Sequence, residues 1–468
     1  MKSTATNSAS LAHTMEGKPM TFFQWRAIGL CFLINMLDGF DVMVMAFTAA
    51  SVSAHWSLKG TQLGYLLSAG LVGMTVGSLF VAPWADRIGR RPLVLLCIVV
   101  AGGGMIASGY ATTPTHLGLL RFVTGLGIGG ILASSYVIAG EYASKRWCSL
   151  AISLQATGYA LGATVGGFIT VRIIAISGWE SVFIYGGVAT LATLPVLYAW
   201  LPESIDFYLS RRPEGALARV NALIRKMGMA PLQALPAETA GGKTGLRDSL
   251  AYLLSPSVRR ATALIWVSFF LILFGFYFVM SWSPRLLVAA GLSNEQGITG
   301  GVLLNLGGIV GTSLIGLLAG RLALYKVHAI YLIATAVLMS ALLSLAGNGG
   351  LTLVVAFFLG VFVNGCVAGV FAMTPMVYES GHRVTGLGWG IGMGRFGSIL
   401  APLAAGPLID ARWSPGQVYS LYATAFVLAA ITVVLLHFAI KRRPAEGGRE
   451  DSAFLGDRGR VPITTYGE

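Results

Sequence analysis

The chain has 468 residues, 55% of them hydrophobic and 11% charged, with a mean hydropathy of +0.74 and a formal charge of +13. A soluble domain carries roughly 25% charged residues, so a water-soluble globule is excluded, having nowhere to hide this much apolar surface. The charge alone would also suit a nucleic-acid binder, and the placement of the basic residues decides against that.

The stretch through Pro19 is polar, carries Lys2 and Lys18, and lacks an apolar core followed by a small-residue cleavage site, so it is not a signal peptide. Beyond it, apolar segments of about 20 residues or more, long enough to span a bilayer, recur to the end of the chain. They are expected near 22–50, 61–84, 92–111, 116–143, 148–175, 180–201, 259–289, 297–320, 327–347, 351–379, 384–410 and 416–441. Basic residues fall in alternate loops. Arg87, Arg90 and Arg91 follow the second span, Lys145 and Arg146 the fourth, and Arg211 to Arg260 the sixth. Arg321 and Lys326 follow the eighth, Arg383 the tenth, and Lys441 to Arg460 the twelfth. The opposite loops hold little beyond Lys59, Arg172, Arg285 and Arg412. This is the positive-inside bias, with both termini cytoplasmic. Basicity here reports orientation.

The polar stretch after the sixth span divides the chain into a tail (1–21), a six-helix bundle (22–201), a linker (202–258), a second six-helix bundle (259–441) and a C-terminal tail (442–468). The fold class expected is an all-α membrane protein of 12 transmembrane helices in two pseudo-symmetric bundles. A repeat supports it: APWADRIGRR (Ala82 to Arg91) and GLLAGRLALYK (Gly316 to Lys326) align with an offset of 234 between Asp86 and Gly320. Gly158, Gly162 and Gly166 recur every fourth residue in the fifth span, a spacing that lets a neighbouring helix approach closely, for packing or for a rocking interface.

An ionisable residue inside a membrane costs roughly 2.5 to 3.5 kcal/mol on insertion scales, so those present mark function. Asp38 and Asp41 in NMLDGFDVMVM share a helix face about 4.5 Å apart in rise. Two carboxylates so close in a poorly hydrated cavity do not both ionise easily, which makes one of them a group that can load and release a proton. The plainer reading is an ion pair that holds helices together. Arg121 and Arg395 are the candidate partners, and either is equally suited to clamp the carboxylate of an anionic solute in bidentate fashion. Phe40, Tyr277 and Trp282 are candidates to line a pocket for a ring, or to pack.

Asp86, Arg87, Gly89, Arg90 and Arg91 form a dense charged turn, either a topology anchor or a latch, with Glu141 and Arg146 as candidate partners. RFVTGLGIGG (Arg121 to Gly130) contains a formal GxGxxG, but inside an apolar span with no strand before it, so helix packing is the reading rather than a dinucleotide site. No P-loop, HExxH or paired CxxC occurs, and Cys31, Cys97, Cys148 and Cys366 stand singly. No metal and no cofactor are implied, and an ion gradient or the solute's own gradient must supply the energy.

With these residues in view the chain resembles the major facilitator superfamily, and within it the aromatic acid:proton symporters that carry 4-hydroxybenzoate, protocatechuate and similar compounds. DRIGRR resembles the superfamily's loop signature, with Ala82 where glycine is usual, and RFVTGLGIGG its fourth-span signature. LPESIDFYL (Leu201 to Leu209) is similar to the stretch after the sixth span in this family and in sugar porters. LDGFD (Leu37 to Asp41) resembles the family's first-span motif, and SWSPRLL (Ser281 to Leu287) and RVTGLGWGIGMGRFGSILAP (Arg383 to Pro402) also fit. The resemblance implies that Asp38 and Asp41 couple protons, that Asp86 through Arg91 gate, and that Arg383 and Arg395 contribute to transport. For His328, placed after the eighth loop, a loop histidine without a role is the default. The fourth span lacks the proline-asparagine pair expected of close members, which leaves the solute open.

The expected function is thus a proton-coupled symporter importing an aromatic or related organic acid, not an enzyme. Its partners are the acid, the proton and the lipid bilayer, with no nucleic acid, and it works as a monomer in a bacterial inner membrane. A drug:proton antiporter would be expected to carry glycine-proline in the fifth span, where Gly162 is followed by Ala163. A sugar porter would be expected to carry paired glutamines in the seventh, and there are none; a carrier of a non-aromatic carboxylate stays open. A channel needs a filter or charged pore ring, and an integral membrane enzyme a convergent catalytic set; neither is evident.

Overall fold

The computed structural model describes residues 20–235, 251–319, 321–342, 345, 348–378 and 382–441, and among them the protein is helical with no strand. Helix α1 (Phe22–His55) starts at a capping box. The Thr21 hydroxyl accepts the Gln24 amide at 3.4 Å, and the Gln24 side chain accepts the Thr21 amide at 2.9 Å. It runs to His55, five residues past the expected end. Next come α2 (Gly60–Val76), α3 (Arg90–Ser108) and α4 (Pro114–Tyr142). Lys145–Ala192 is hydrogen-bonded as one helix but breaks at Gly178, whose φ of 80° is open to glycine and strained for other residues. It therefore carries two spans, α5 (145–177) and α6 (179–192), the latter extended by Leu194–Trp200. In the second half lie α7 (Arg259–Ala289), α8 (Asn294–Ala319), α9 (Leu324–Leu342), α10 (Gly349–Met373), α11 (Arg383–Asp410) and α12 (Pro415–Lys441). Among the described residues, ten stretches meet both length and hydropathy for crossing a membrane. Dividing the long one at Gly178 and adding α11, 28 residues long but diluted by glycines and Arg395, gives twelve spans.

The α2 helix leaves the membrane through a π turn (Gly77–Val81), a 3₁₀ turn (Ala82–Trp84) and a single α turn (Ala85–Ile88), and stops at Gly89, φ 104°. Two short helices, Ile205–Arg211 and Ala216–Lys226, follow α6. Val220 and Ile224 are fully buried and join a cluster with Leu93, Ile138 and Tyr142, which draws the Glu203–Asp206 segment onto the ends of α3 and α4.

Glycine sets the crossings. A Cβ at Gly158 or Gly162 would meet the carbonyls of Phe32 or Met36, and one at Gly166 the ring of Phe40. The two series ascend together, so α1 and α5 run parallel with backbones in contact. The glycines in and beside the false GxGxxG divide their work: Gly125 and the intervening Gly129 abut α2 at Gly70 and Met74, and Gly127 and Gly130 abut Cys97 of α3.

By compactness the chain divides into two units. One holds Met1–Lys243 together with Met280–Asn305 and Pro402–Arg412; the other holds Thr244–Val279, Leu306–Ala401 and Trp413–Glu468. Gly320, the partner of Asp86 in the sequence repeat, lies outside the described residues, as do 1–19, most of the linker tail (236–250) and 442–468.

Candidate functional site

The glycine contact of α1 with α5 leaves Asp38 and Asp41 on other faces of α1, and the structure pairs Asp41 with one of the two arginines left open. Arg121 Nη1 donates to Asp41 Oδ1 at 3.0 Å, with both side chains about 5% exposed. The rest of the guanidinium is also engaged. Nε and Nη2 donate to Ser108 Oγ at 3.2 and 2.9 Å, and Nη2 to Thr124 Oγ1 at 3.0 Å. Both hydroxyls spend their own protons on carbonyls, of Gly104 and Leu120, so their lone pairs face the arginine. The guanidinium carbon sits 4.9 Å from the centre of the Phe183 ring. A buried ion pair holds only when its remaining hydrogen-bond capacity is met, and three spans and a ring meet it here.

Two small cavities flank Asp41. One of about 20 Å³ is lined by Asp38, Asp41, Thr190 and aliphatic side chains including Ile98 and Ile131. The other, about 30 Å³, touches Asp41, Arg121 and Thr124. Each has room for about one water, and the two carboxylates share the smaller of them. One turn before Asp38, Asn35 donates to Gln155 Oε1 at 2.8 Å and Ser135 Oγ at 3.1 Å, all three side chains being buried. Sequence reasoning passed over this network, although an asparagine and a glutamine inside apolar spans were the available signal.

The other candidates are placed as follows. Phe40 is wedged against Gly166 and Gly186. Trp282 is 1% exposed and its indole N–H donates to the Pro402 carbonyl at 3.3 Å, so it ties α7 to α11. Tyr277 and Arg395 are half-buried in the second unit, Arg395 lending its carbonyl to Ser398. Arg383 Nε donates to the Tyr378 carbonyl at 3.1 Å. His328 corrects the expectation of a loop residue: it lies within α9, fully buried, with Nε2 2.9 Å from the Cys366 carbonyl and Nδ1 3.0 Å from Met373 Sδ.

The charged turn is centred on Arg90. Its Nη1 contacts Glu141 Oε1 and Ser204 Oγ, and its Nη2 lies 3.3 Å from Asp206 and 3.9 Å from Asp86. Glu203 Oε1 accepts the amides of Arg90, Arg91 and Ser204 at 2.8, 3.1 and 2.9 Å, under Gly89, where a Cβ would strike that carboxylate. Glu141 Oε2 accepts the Ile205 amide at 3.0 Å. Arg91 donates to the Tyr198 carbonyl, Arg211 to that of Asp86, and Arg87 is exposed. Glu141 was foreseen as a partner. Glu203, Ser204 and Asp206 were not, although two acidic residues opening an otherwise basic linker were a legible signal. The side chain of Arg146 is outside the described set. Among the described residues all partners of this cluster come from the first half of the chain.

Residues 31–328 match the family model of the Major Facilitator Superfamily. The chain is 33% identical over 425 residues to the 4-hydroxybenzoate transporter of Pseudomonas putida, covering 89% of this chain and 93% of that protein. It is 31% identical to the gallate transporter of the same organism, covering 92% and 96%. Its fold is that of the inward open xylose transporter XylE from E. coli, with a TM-score of 0.69 at 16% identity, covering 92% of this chain and 99% of the other.

Proposed function

The chain belongs to the Major Facilitator Superfamily and is a multi-pass membrane transporter, and from that premise we propose that it imports an aromatic carboxylic acid together with a proton. The observation that carries the reading is the Asp41–Arg121 pair. If Asp41 takes a proton, Arg121 is left as an uncompensated buried cation, a state of several kcal/mol. A carboxylate from the solute restores the balance by accepting from the Nη1 group that Asp41 gives up, the remaining guanidinium donors staying on Ser108 and Thr124. Proton and anion then enter together, each making the site ready for the other, and coupling follows from charge neutrality. Asp38, in the same small cavity, is the second carboxylate of a proton relay. Alternating access carries the neutral load across. The names of the relatives, transporters of 4-hydroxybenzoate and gallate, support an aromatic acid. The basic residues in alternate loops support a bacterial inner-membrane protein with both termini cytoplasmic.

The test is uptake of labelled 4-hydroxybenzoate, gallate and benzoate into proteoliposomes under an imposed inward proton gradient. Accumulation above the external concentration that vanishes when a protonophore is added is expected. Equilibration without accumulation, unaffected by the protonophore, would reduce the protein to a facilitator and sink the coupling.

A further inference from the structure

The last residue of α11 caps a helix from the other end of the chain. Asp410 Oδ1 accepts the Gly60 amide at 2.6 Å, Oδ2 accepts the Thr61 amide at 2.9 Å, and the Thr61 hydroxyl also donates to Oδ2. These amides belong to the first turn of α2, where no carbonyl of the helix itself reaches them, and where a carboxylate is favoured by the helix dipole. Below the cap the two backbones touch. A Cβ on Gly60 would lie 2.5 Å from the Gly406 carbonyl oxygen, one on Gly406 2.6 Å from that of Gly60, and one on Gly64 2.6 Å from that of Pro402. Elsewhere in the same compact unit, Asn294 at the start of α8 donates to Ser51 Oγ of α1 at 3.3 Å, and Phe47 packs on Gly301. All these contacts lie within the first compact unit, which draws in 280–305 and 402–412 from the second half of the chain.

We propose that Asp410 is a latch that holds the α2 and α11 ends together at the face opposite the termini, and that it must release in every transport cycle. A carrier admits its solute from one face at a time, so contacts that close a face must be strong enough to hold and cheap to break. The Asp410 contacts are solvent-edge hydrogen bonds. On parting, the carboxylate and both amides are rehydrated at once, unlike the buried Asp41–Arg121 pair, whose separation strands a charge. The glycine crossing beneath lets the two backbones come close enough for one carboxylate to reach two successive amides. Among the described residues the Arg90 cluster at the other face links first-half residues, whereas Asp410 joins the two halves of the chain. The proposal depends on neither the solute nor the proton coupling.

The experiment places a reporter cysteine at Met45, which lines the cavity beside Asp41, and follows its labelling by a membrane-impermeant maleimide. The reagent is added to the face opposite the termini in vesicles of known sidedness, with the parent carrying only its own cysteines as background. Asp410→Ala is expected to raise the labelling rate about tenfold, the factor that loss of one or two charge-assisted hydrogen bonds supplies, and Thr61→Val less. A second arm needs no loss of the carboxylate's neighbours: Thr61→Cys with Asp410→Cys, oxidised to a disulfide, should push labelling below that of the unlinked protein and recover on reduction. Unchanged labelling in Asp410→Ala and Thr61→Val overturns the latch. So does a pair that fails to cross-link, or one that cross-links without slowing the maleimide.

Discussion

In the first half of the chain, Gly73 of α2 and Gly77 of the π turn that follows it press against the carbonyls of Phe122 and Leu126 in α4. In the second half, Gly307 and Gly311 of α8, 234 residues further on, press against those of Phe357 and Val361 in α10. The duplicated scaffold has kept its crossing to within a residue. Its chemistry has diverged. The LDGFD of α1 (Leu37 to Asp41) returns in α7 as LFGFY (Leu273 to Tyr277), so phenylalanine and tyrosine stand where the aspartates were. With Phe122 matched to Phe357, Arg121 is matched by Ala356, which is fully buried. Around α7 the second unit builds a column of rings: Phe274 stacks on Tyr422 at 4.7 Å, and Tyr422 on Phe278 at 3.8 Å. The first half buries an ion pair where the second packs rings against one another, on a shared frame. On the proposed function, the duplicated bundle would divide the two parts of recognising an aromatic anion.

The strongest way to break this comparison is Asp41→Asn. It strands the Arg121 cation, a cost of about 3–5 kcal/mol, and is expected to lower proton-driven accumulation by a hundredfold or more, whereas Phe274→Leu, at the position that matches Asp38, should leave the proton dependence intact. Equal loss of coupling in both would erase the division of labour. The shared frame is probed by Gly77→Val and Gly311→Val, whose new side chains would meet the carbonyls of Leu126 and Val361 at 2.3 and 1.8 Å. Each is expected to cost about 1–3 kcal/mol or more, read as a similar fall in folded, monodisperse protein. A fall in one half only would show that the crossings are not equivalent. Arg90→Lys keeps the charge but loses the planar fork that serves Glu141, Ser204 and Asp206 together. Uptake should slow about tenfold with apparent affinity within about twofold, and a pure affinity loss would contradict a role in conformational exchange. Smallest is Tyr422→Phe, which removes a hydrogen bond to the Ala401 carbonyl in the ring column and should lower thermal stability by about 1 kcal/mol without touching coupling.

The spans, the repeat and the intramembrane carboxylates were legible in the sequence because each is a local signal: run length, spacing, or a charge where charge is costly. Which arginine meets Asp41 was not, since that depends on how α1 and α4 are rotated, and the rotation is fixed by Gly39, Gly158, Gly162 and Gly125 together. Trp282 read as a ring-binding candidate, yet its indole N–H is committed to Pro402, because composition does not reveal where a donor is already spent. The Arg90 hub needed partners 113 to 116 residues away, brought in by the burial of Val220 and Ile224. His328 was misjudged by its proximity to a loop: α9 begins at Leu324, and its first turns are already inside the bundle.

The π turn at Gly77–Val81 has a consequence for length rather than composition. One residue more than an α-helix needs is accommodated there, which sets the angular phase of everything from Ala82 to Ile88. Deleting one residue of the five would restore regular winding with the following segment near its present phase, whereas rewinding all five as α-helix, or inserting one more residue, would swing that segment by about 100°. Asp86 and the approach to Arg90 would swing with it in those cases, so the chain is expected to tolerate a single-residue deletion within this stretch better than a single-residue insertion that leaves every charged side chain in place.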